Sequence, residues 1–323
     1  MTAIKIRGEV SKAMRLGRPV VALESAVITS GLPHAPLERK PASVSDDWQE
    51  NQPANLEVAR LMERTVRAAG AIPATIALID GVLHVGLDDD QLKALALDDK
   101  AGKISSSGLS IAMAKGLSGG TTVSATLAVC GRVGPIRFFA TGGVGGVHRD
   151  WQTLPDISGD LKQLAITQTC VVSAGAKSIL DLPATLQWLE SLNIPVIGFR
   201  TSNFPFFHHP GDDRLPVPYR CDTLNDIVRG CQAHWLDLAS PTGVLVANPI
   251  PTEFALDHGE LEQAIERAEQ TAHEQQITGA HLTPFLLEEL SRLTGGLSVE
   301  ANIALLESNA QLASELALEW SQS

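Results

Sequence analysis

Lys177 stands where a chain could do amine chemistry. It follows the apolar run CVVSA at 170–174 and the dipeptide Gly175-Ala176. A Val-rich run that stops at glycine reads as a buried parallel strand, which puts a long cationic side chain at the carboxyl edge of a sheet, where open α/β folds bind ligands. An amine held there is partly withdrawn from water, which favours its neutral, nucleophilic form. The plainer alternative is a surface lysine at a sheet edge. Glu24 directly follows VVAL and has no basic neighbour in sequence. Burial at that strand end would raise its proton affinity and let it serve as an acid. Asp156 and Asp160, in DISGD, are spaced to share one face if the segment is helical. Hard cations such as Mg²⁺ or Mn²⁺ favour oxygen ligands and often take only one or two protein carboxylates. The alternative is a capping Asp156 with a solvated Asp160, and His148 is a weaker candidate ligand.

Two glycine strings invite a nucleotide reading that their spacing rejects. In TGGVGGVHR (141–149), a G-x-G-x-x-G anchored at Gly143 and Gly145 would need glycine where His148 stands. A P-loop needs Gly-Lys-Ser/Thr, whereas Lys177 follows Ala176. What remains is either a nest whose backbone N–H groups face an anion or a tight strand-to-helix turn. In GGTTVS (119–124), hydroxyls and backbone N–H groups beside a helix start suit phosphate, with Thr122 a candidate contact, and KISSS (103–107) adds a charge from Lys103.

These strings must be positioned by the apolar runs before them. Strands are expected at 19–23, 74–79, 136–140, 170–174, 195–199 and 243–247, and helices at 56–69, 91–96, 157–165 and 182–191. Segment 178–182 reads as a helix start. Alternating strands and helices predict βαβ units and a largely parallel (mixed) central sheet in a three-layer α/β/α fold. If the strands are parallel, Glu24, the glycine string and Lys177 all emerge on one edge. Three helices are expected at the C-terminal end, at 260–276, 284–293 and 299–320, covering the sheet or forming an oligomer contact. Residues 1–323 read as one domain. Residues 38–52 (ERKPASVSDDWQENQ) break the pattern and read as a mobile surface loop, with a lid over the site as the functional alternative.

Composition narrows the class. The chain has 323 residues, 44% of them hydrophobic and only 4% aromatic, so aliphatic side chains fill a sizeable core. A formal charge of −12 disfavours nucleic acid and anionic membrane as partners, since both attract clustered Lys and Arg. No apolar run is long enough to span a membrane, and MTAIKIRGEV lacks the apolar core of a signal peptide, so a cytoplasmic location is expected. Cys130, Cys170, Cys221 and Cys231 include no C-x-x-C pair and read as free thiols.

Taken in order, VVALES, GAIPATIALIDG, GGTTVSAT, FFATGGVGGVHR, DISGDL, VVSAGAKSILDLPAT, PVIGFRT, LVANPIP, TPFLL and LTGG-x-S-x-x-AN resemble the pseudouridine-5'-phosphate glycosidase family, which includes the indigoidine-synthesis A-type proteins. The resemblance runs from Pro19 to about Asn309. It implies reversible cleavage of the C–C glycosidic bond of pseudouridine 5'-phosphate to uracil and ribose 5-phosphate, with Mn²⁺ as cofactor and a homotrimer as the assembly. It places the lysine nucleophile on Lys177, the acid/base on Glu24 and the metal ligand on Asp156. Ser158, Gly159 and Asp160 match substrate contacts, as do Lys103 and Val123, and Asn302 is expected to face the site. A different lyase or aldolase that forms a lysine imine on a sugar phosphate shares Lys177 and the phosphate strings, and a non-catalytic relative is a further alternative. Two departures from the family pattern stand out. Residues 38–52 look like an insertion of roughly fifteen residues, far longer than an ordinary connection, and Gly159 stands where alanine is common.

Overall fold

Neighbouring residues of the central strands face opposite sides of one sheet, and both sides are apolar. Val21, Leu23, Phe138, Ala140, Val172 and Val246 pack into one core cluster, while Val20, Ala22, Phe139, Val171 and Leu245 pack into another. A period of two with no polar face is what a sheet covered on both sides requires. The computed structural model describes residues 3–44, 46–134, 136–149, 151–153, 155–279 and 282–323.

In chain order the strands are β1 (Ile4–Ile6), β2 (Val20–Leu23), β3 (Ile72–Ile79), β4 (Val82–Val85), β5 (Gly102–Ile104), β6 (Gly119–Thr121), β7 (Phe138–Ala140), β8 (Val147–His148), β9 (Cys170–Ser173), β10 (Leu180–Asp181), β11 (Val196–Phe199), β12 (Tyr219–Cys221) and β13 (Val244–Ala247). The helices are α1 (Gly8–Arg15), α2 (Ala26–Ser30), α3 (Ala54–Ala68), α4 (Asp89–Ala96), α5 (Ser106–Ala114), α6 (Val123–Val133), α7 (Gly159–Leu164), α8 (Leu182–Ser191), α9 (Leu224–Gln232), α10 (His258–Glu274), α11 (Leu282–Leu293) and α12 (Leu297–Gln322).

The main sheet runs β1-β4-β3-β2-β7-β9-β13-β11-β12, with β6 also pairing β3 and β5 pairing β6. From β3 to β12 every pairing along this path is parallel; β4 and β6 lie antiparallel to β3. The expected α/β fold with a largely parallel, mixed sheet is therefore present. The register places Leu23 beside Ala140, Ala140 beside Val172 and Val172 beside Val246, so the carboxyl ends of β2, β7, β9 and β13 form one edge.

The three expected C-terminal helices are α10, α11 and α12. Residues of α12 fill one core cluster together with α3 and α9, while residues of α10 and α11 join the opposite one. Helix α12 buries residues around most of its circumference, from Ala301 to Ala317, because it lies between the sheet and α3 and α9.

Two expectations change. Segment 178–182 is not a helix start: after Lys177 the chain turns, pairs β10 antiparallel to β8, and only then enters α8. Residues 38–52 are pinned rather than loose. Val44 and Trp48 are buried in the core cluster with Val58, Leu61 and Met62, and Arg39 pairs with Glu300 while Arg64 pairs with Asp47. The apolar anchors outweigh the polar composition that suggested mobility; Ser45 lies outside the described residues. The cysteines are free, with Cys130, Cys170 and Cys231 buried.

Candidate active site

At the carboxyl edge a cavity of about 330 Å³ gathers side chains from distant parts of the chain. Its lining includes Lys177, Glu24, Lys103, Thr122, Val123, Ser158, Gly159, Asp160 and Asn302, which are all of the residues expected at the site except Asp156. The volume lies within the range of small-molecule sites, roughly 300–1,000 Å³.

Each strand end supplies one part. Glu24 is the first residue after β2 and Thr141 the first after β7, so the parallel register sets them side by side. The Thr141 hydroxyl donates a hydrogen bond to Glu24 Oε1. Glu24 is enclosed by protein yet opens onto the cavity. Burial raises its proton affinity above that of an ordinary glutamate, against the opposing effects of the Lys177 charge and the Thr141 hydrogen bond. Lys177 is half-buried beyond the turn that ends β9. That turn needs glycine at 175, where φ is +72° and a Cβ would collide with the Pro205 carbonyl oxygen. The Lys177 N–H donates to the Val144 carbonyl at 3.2 Å, tying the lysine turn to the glycine string.

Asp160 ties the glycine string at Gly145, whose N–H is therefore not free for an anion. Asp160 is 5% exposed. Its Oδ1 accepts from the Ser124 N–H at 2.8 Å and its Oδ2 from the Gly145 N–H at 2.9 Å. A Cβ at Gly145 would strike Ser158 Oγ, so glycine is required there by close approach. The two carboxylates of DISGD do not share a helical face, because α7 begins only at Gly159. Ser158, not Asp156, caps the helix, accepting from the Asp160 N–H at 3.2 Å.

On the opposite wall, Lys103 at β5 and Thr122 to Ser124 at the start of α6 form a cationic and hydroxyl-rich corner. Burial lowers the proton affinity of Lys103, and the neighbouring Lys177 charge adds to the effect; Asp160 and Asp156 oppose it. Two half-buried amines beside these hydroxyls favour an anionic ligand.

Asp156 stands just outside the lining. Its carbonyl accepts from the His148 N–H at 3.0 Å. Burial lowers the proton affinity of His148, with the Asp156 carboxylate opposing that change. Among the described residues no group of three or more His, Cys, Asp and Glu side chains could hold a metal ion. The Asp156 carboxylate is an oxygen donor of the kind hard cations take, often with only one or two protein carboxylates and water for the rest.

Several lining residues carried no signal in the sequence. Phe207, at φ +61°, closes the cavity from a segment remote from every motif, and Thr283, Pro284 and Leu287 of α11 join it from TPFLL, a string to which no site role was given. Thr141 could have been found from strand register alone. None of the described residues of 38–52 lines the cavity, so that segment is not a lid in this structure.

The family described as indigoidine synthase A like protein matches residues 49–319. The pseudouridine-5'-phosphate glycosidase of Caldanaerobacter subterraneus subsp. tengcongensis is 43% identical over 316 residues, covering 98% of this chain and 96% of the relative. That of Saccharopolyspora erythraea is 45% identical over 313 residues, covering 97% and 96%. Among solved structures, the prealnumycin C-glycosynthase AlnA in complex with ribulose 5-phosphate aligns with a TM-score of 0.85 at 37% identity, over 100% of this chain and 98% of its own. An indigoidine synthase A-like protein from Thermotoga maritima aligns with a TM-score of 0.83 at 33% identity, over 98% and 96%.

Proposed function

The chain belongs to the indigoidine synthase A-like family, and from that premise we propose that it is a pseudouridine-5'-phosphate glycosidase, cleaving its substrate reversibly to uracil and ribose 5-phosphate. The observation that carries the reading is the meeting of Lys177 and Glu24 in one cavity whose far corner is built for an anion. The relatives named for this activity are similar over nearly their whole length.

The reaction must break a C–C bond to uracil C5, which lacks an easily protonated leaving nitrogen. Two carboxylates placed as in ordinary glycoside hydrolases answer that need poorly. In the proposed route the neutral amine of Lys177 attacks C1', the C1'–O4' bond breaks, and Glu24 gives its proton to O4'. The Glu24 carboxylate so formed takes a proton from the new C1'–N ammonium, restoring the nitrogen lone pair, and gives a proton to uracil C5. The nitrogen lone pair forms the C1'=N iminium as the C1'–C5 bond breaks, and that bond's electron pair leaves with uracil. Water adds to the iminium, the C1'–N bond breaks, and ribose 5-phosphate departs with the lysine free. Covalent catalysis thus divides one hard step into easier ones.

Lys103, Thr122, Val123 and Ser124 are assigned to the 5'-phosphate, where the start of α6 and a half-buried amine favour negative charge. Ser158, Gly159 and Asn302 are assigned to the remainder of the substrate. Asp156 would hold Mn²⁺, which supplies charge neutralisation beside the phosphate when bound. A homotrimer acting in the cytoplasm is part of the same proposal. The exposed Ile166, Leu236 and Leu238 offer apolar surface that an assembly would cover.

Incubation with pseudouridine 5'-phosphate and Mn²⁺ should release uracil, with the rate depressed by EDTA and restored by Mn²⁺. Borohydride with ribose 5-phosphate should add mass to the peptide bearing Lys177. No uracil, together with retro-aldol products from another sugar phosphate, would reverse the assignment. Trapping that persists in Lys177→Ala would move the nucleophile elsewhere, and full activity after thorough chelation would remove the metal from Asp156.

A further inference from the structure

Thr141 is buried and makes one side-chain hydrogen bond among the described residues, from its hydroxyl to Glu24 Oε1. Its backbone is fixed independently. The N–H donates to the Val172 carbonyl at 3.1 Å, and the carbonyl accepts from Asn309 Nδ2 at 2.8 Å. Asn309 Oδ1 in turn accepts from Asn248 Nδ2 at 2.9 Å, and the Asn248 N–H donates to the Ser173 carbonyl. Three strand ends and α12 therefore lock the hydroxyl against the carboxyl group. A hydroxyl has one hydrogen, and a buried donor seeks an acceptor. Here that acceptor is Oε1, whichever protonation state Glu24 adopts.

We infer that Thr141 is a positioning residue for Glu24: by keeping Oε1 as an acceptor, it places the transferable proton on Oε2, the oxygen left free for the substrate. This rests on the proposed role of Glu24 as the acid. Without the hydroxyl, the carboxyl group rotates between two equivalent protonated forms, only one of which presents its proton to O4'. The hydrogen bond also favours the charged carboxylate against the effect of burial. The charged groups facing Glu24 are Lys177 from the turn after β9 and Asp160 from α7, and neither is altered by a change at Thr141.

The test compares wild type with Thr141→Val, Thr141→Ala and Thr141→Ser, reading uracil release, the pH profile of kcat and thermal unfolding. It also follows the infrared carbonyl band of protonated Glu24, identified by its loss in Glu24→Gln. In the valine and alanine variants kcat should fall about tenfold or more with KM changed less than about threefold, the pattern of an interaction used mainly in the transition state. The Glu24 band should persist to higher pH by about half a unit or more, because a bond favouring the charged form is gone. Thr141→Ser should restore both. A band that titrates as in wild type, or a serine variant as impaired as the valine one, would overturn the inference while leaving the activity standing. A wild type that releases no uracil would overturn the reading beneath it. Reading two apolar variants keeps the comparison decisive if one fails to fold.

Discussion

Replacing Asp160 with asparagine separates a structural clamp from a group that acts only on substrate. Both carboxylate oxygens accept backbone hydrogen bonds, from Ser124 at 2.8 Å and Gly145 at 2.9 Å, in a site where the side chain is 5% exposed. An asparagine can present only one oxygen. Either orientation leaves one buried N–H facing an NH₂ group and weakens the other bond by removing its charge. A hydrogen bond to a charged group is worth about 1.5–3 kcal/mol, and an orphaned buried donor costs about 1–3, so a loss of about 3 kcal/mol is expected. With about 2.1 cal/mol/K of unfolding entropy per residue over 323 residues, that corresponds to a fall of about 4 °C in Tm. The same loss frees the Gly145 string from the start of α6. Lys177, tied to Val144, would then no longer be registered against the Lys103 corner, and uracil release should fall about 100-fold, as misplacement by an ångström does elsewhere. The assays are denaturant and thermal unfolding beside steady-state kinetics. Asp160→Asn with wild-type stability and lost activity would refute the clamp and assign the carboxylate to the substrate directly.

His208 provides a pH prediction. It is 2% exposed, faces Ser178 Oγ at 3.3 Å, and is pushed down to about 3 chiefly by burial. A histidine whose folded-state value lies below its unfolded value contributes stability that is complete above about pH 6.5 and declines as pH falls towards 3. The loss at pH 5 should be about 2 kcal/mol, measured by urea unfolding, and His208→Asn should flatten that slope. A variant slope equal to that of wild type would rule His208 out as its source. Trp48→Ala should cost about 3 kcal/mol by emptying part of the core, with KM for pseudouridine 5'-phosphate nearly unchanged, since none of the described residues of 38–52 lines the cavity. A large rise in KM with little loss of stability would revive a direct role for that segment at the site.

What the sequence determined by itself was local. Runs such as VVAL, CVVSA and GVLVA are too apolar to face water on either side, so they become central strands, and alternation with helices makes them parallel. Parallel strands send Glu24, Thr141 and Lys177 to a common edge, which is why the two expected catalytic residues were legible from strand pattern, whereas Val123, Ser158, Gly159 and Asn302 were reached only through the family resemblance. Gly175 was readable as a turn, but the Pro205 carbonyl that forbids any side chain there was not. The short β10–β8 pairing after Lys177 was missed because two-residue strands carry no period. The polar segment 38–52 was misread as loose because Val44 and Trp48, two anchors among charges, outweigh its average composition once a core exists to receive them. Only the tertiary structure decided that Asp160 is spent on two backbone amides, that Thr141 addresses one particular oxygen of Glu24, and that Phe207 and α11 close the cavity. These are pairings between segments far apart in the chain. They follow from sheet register and helix packing, which no local pattern of residues encodes.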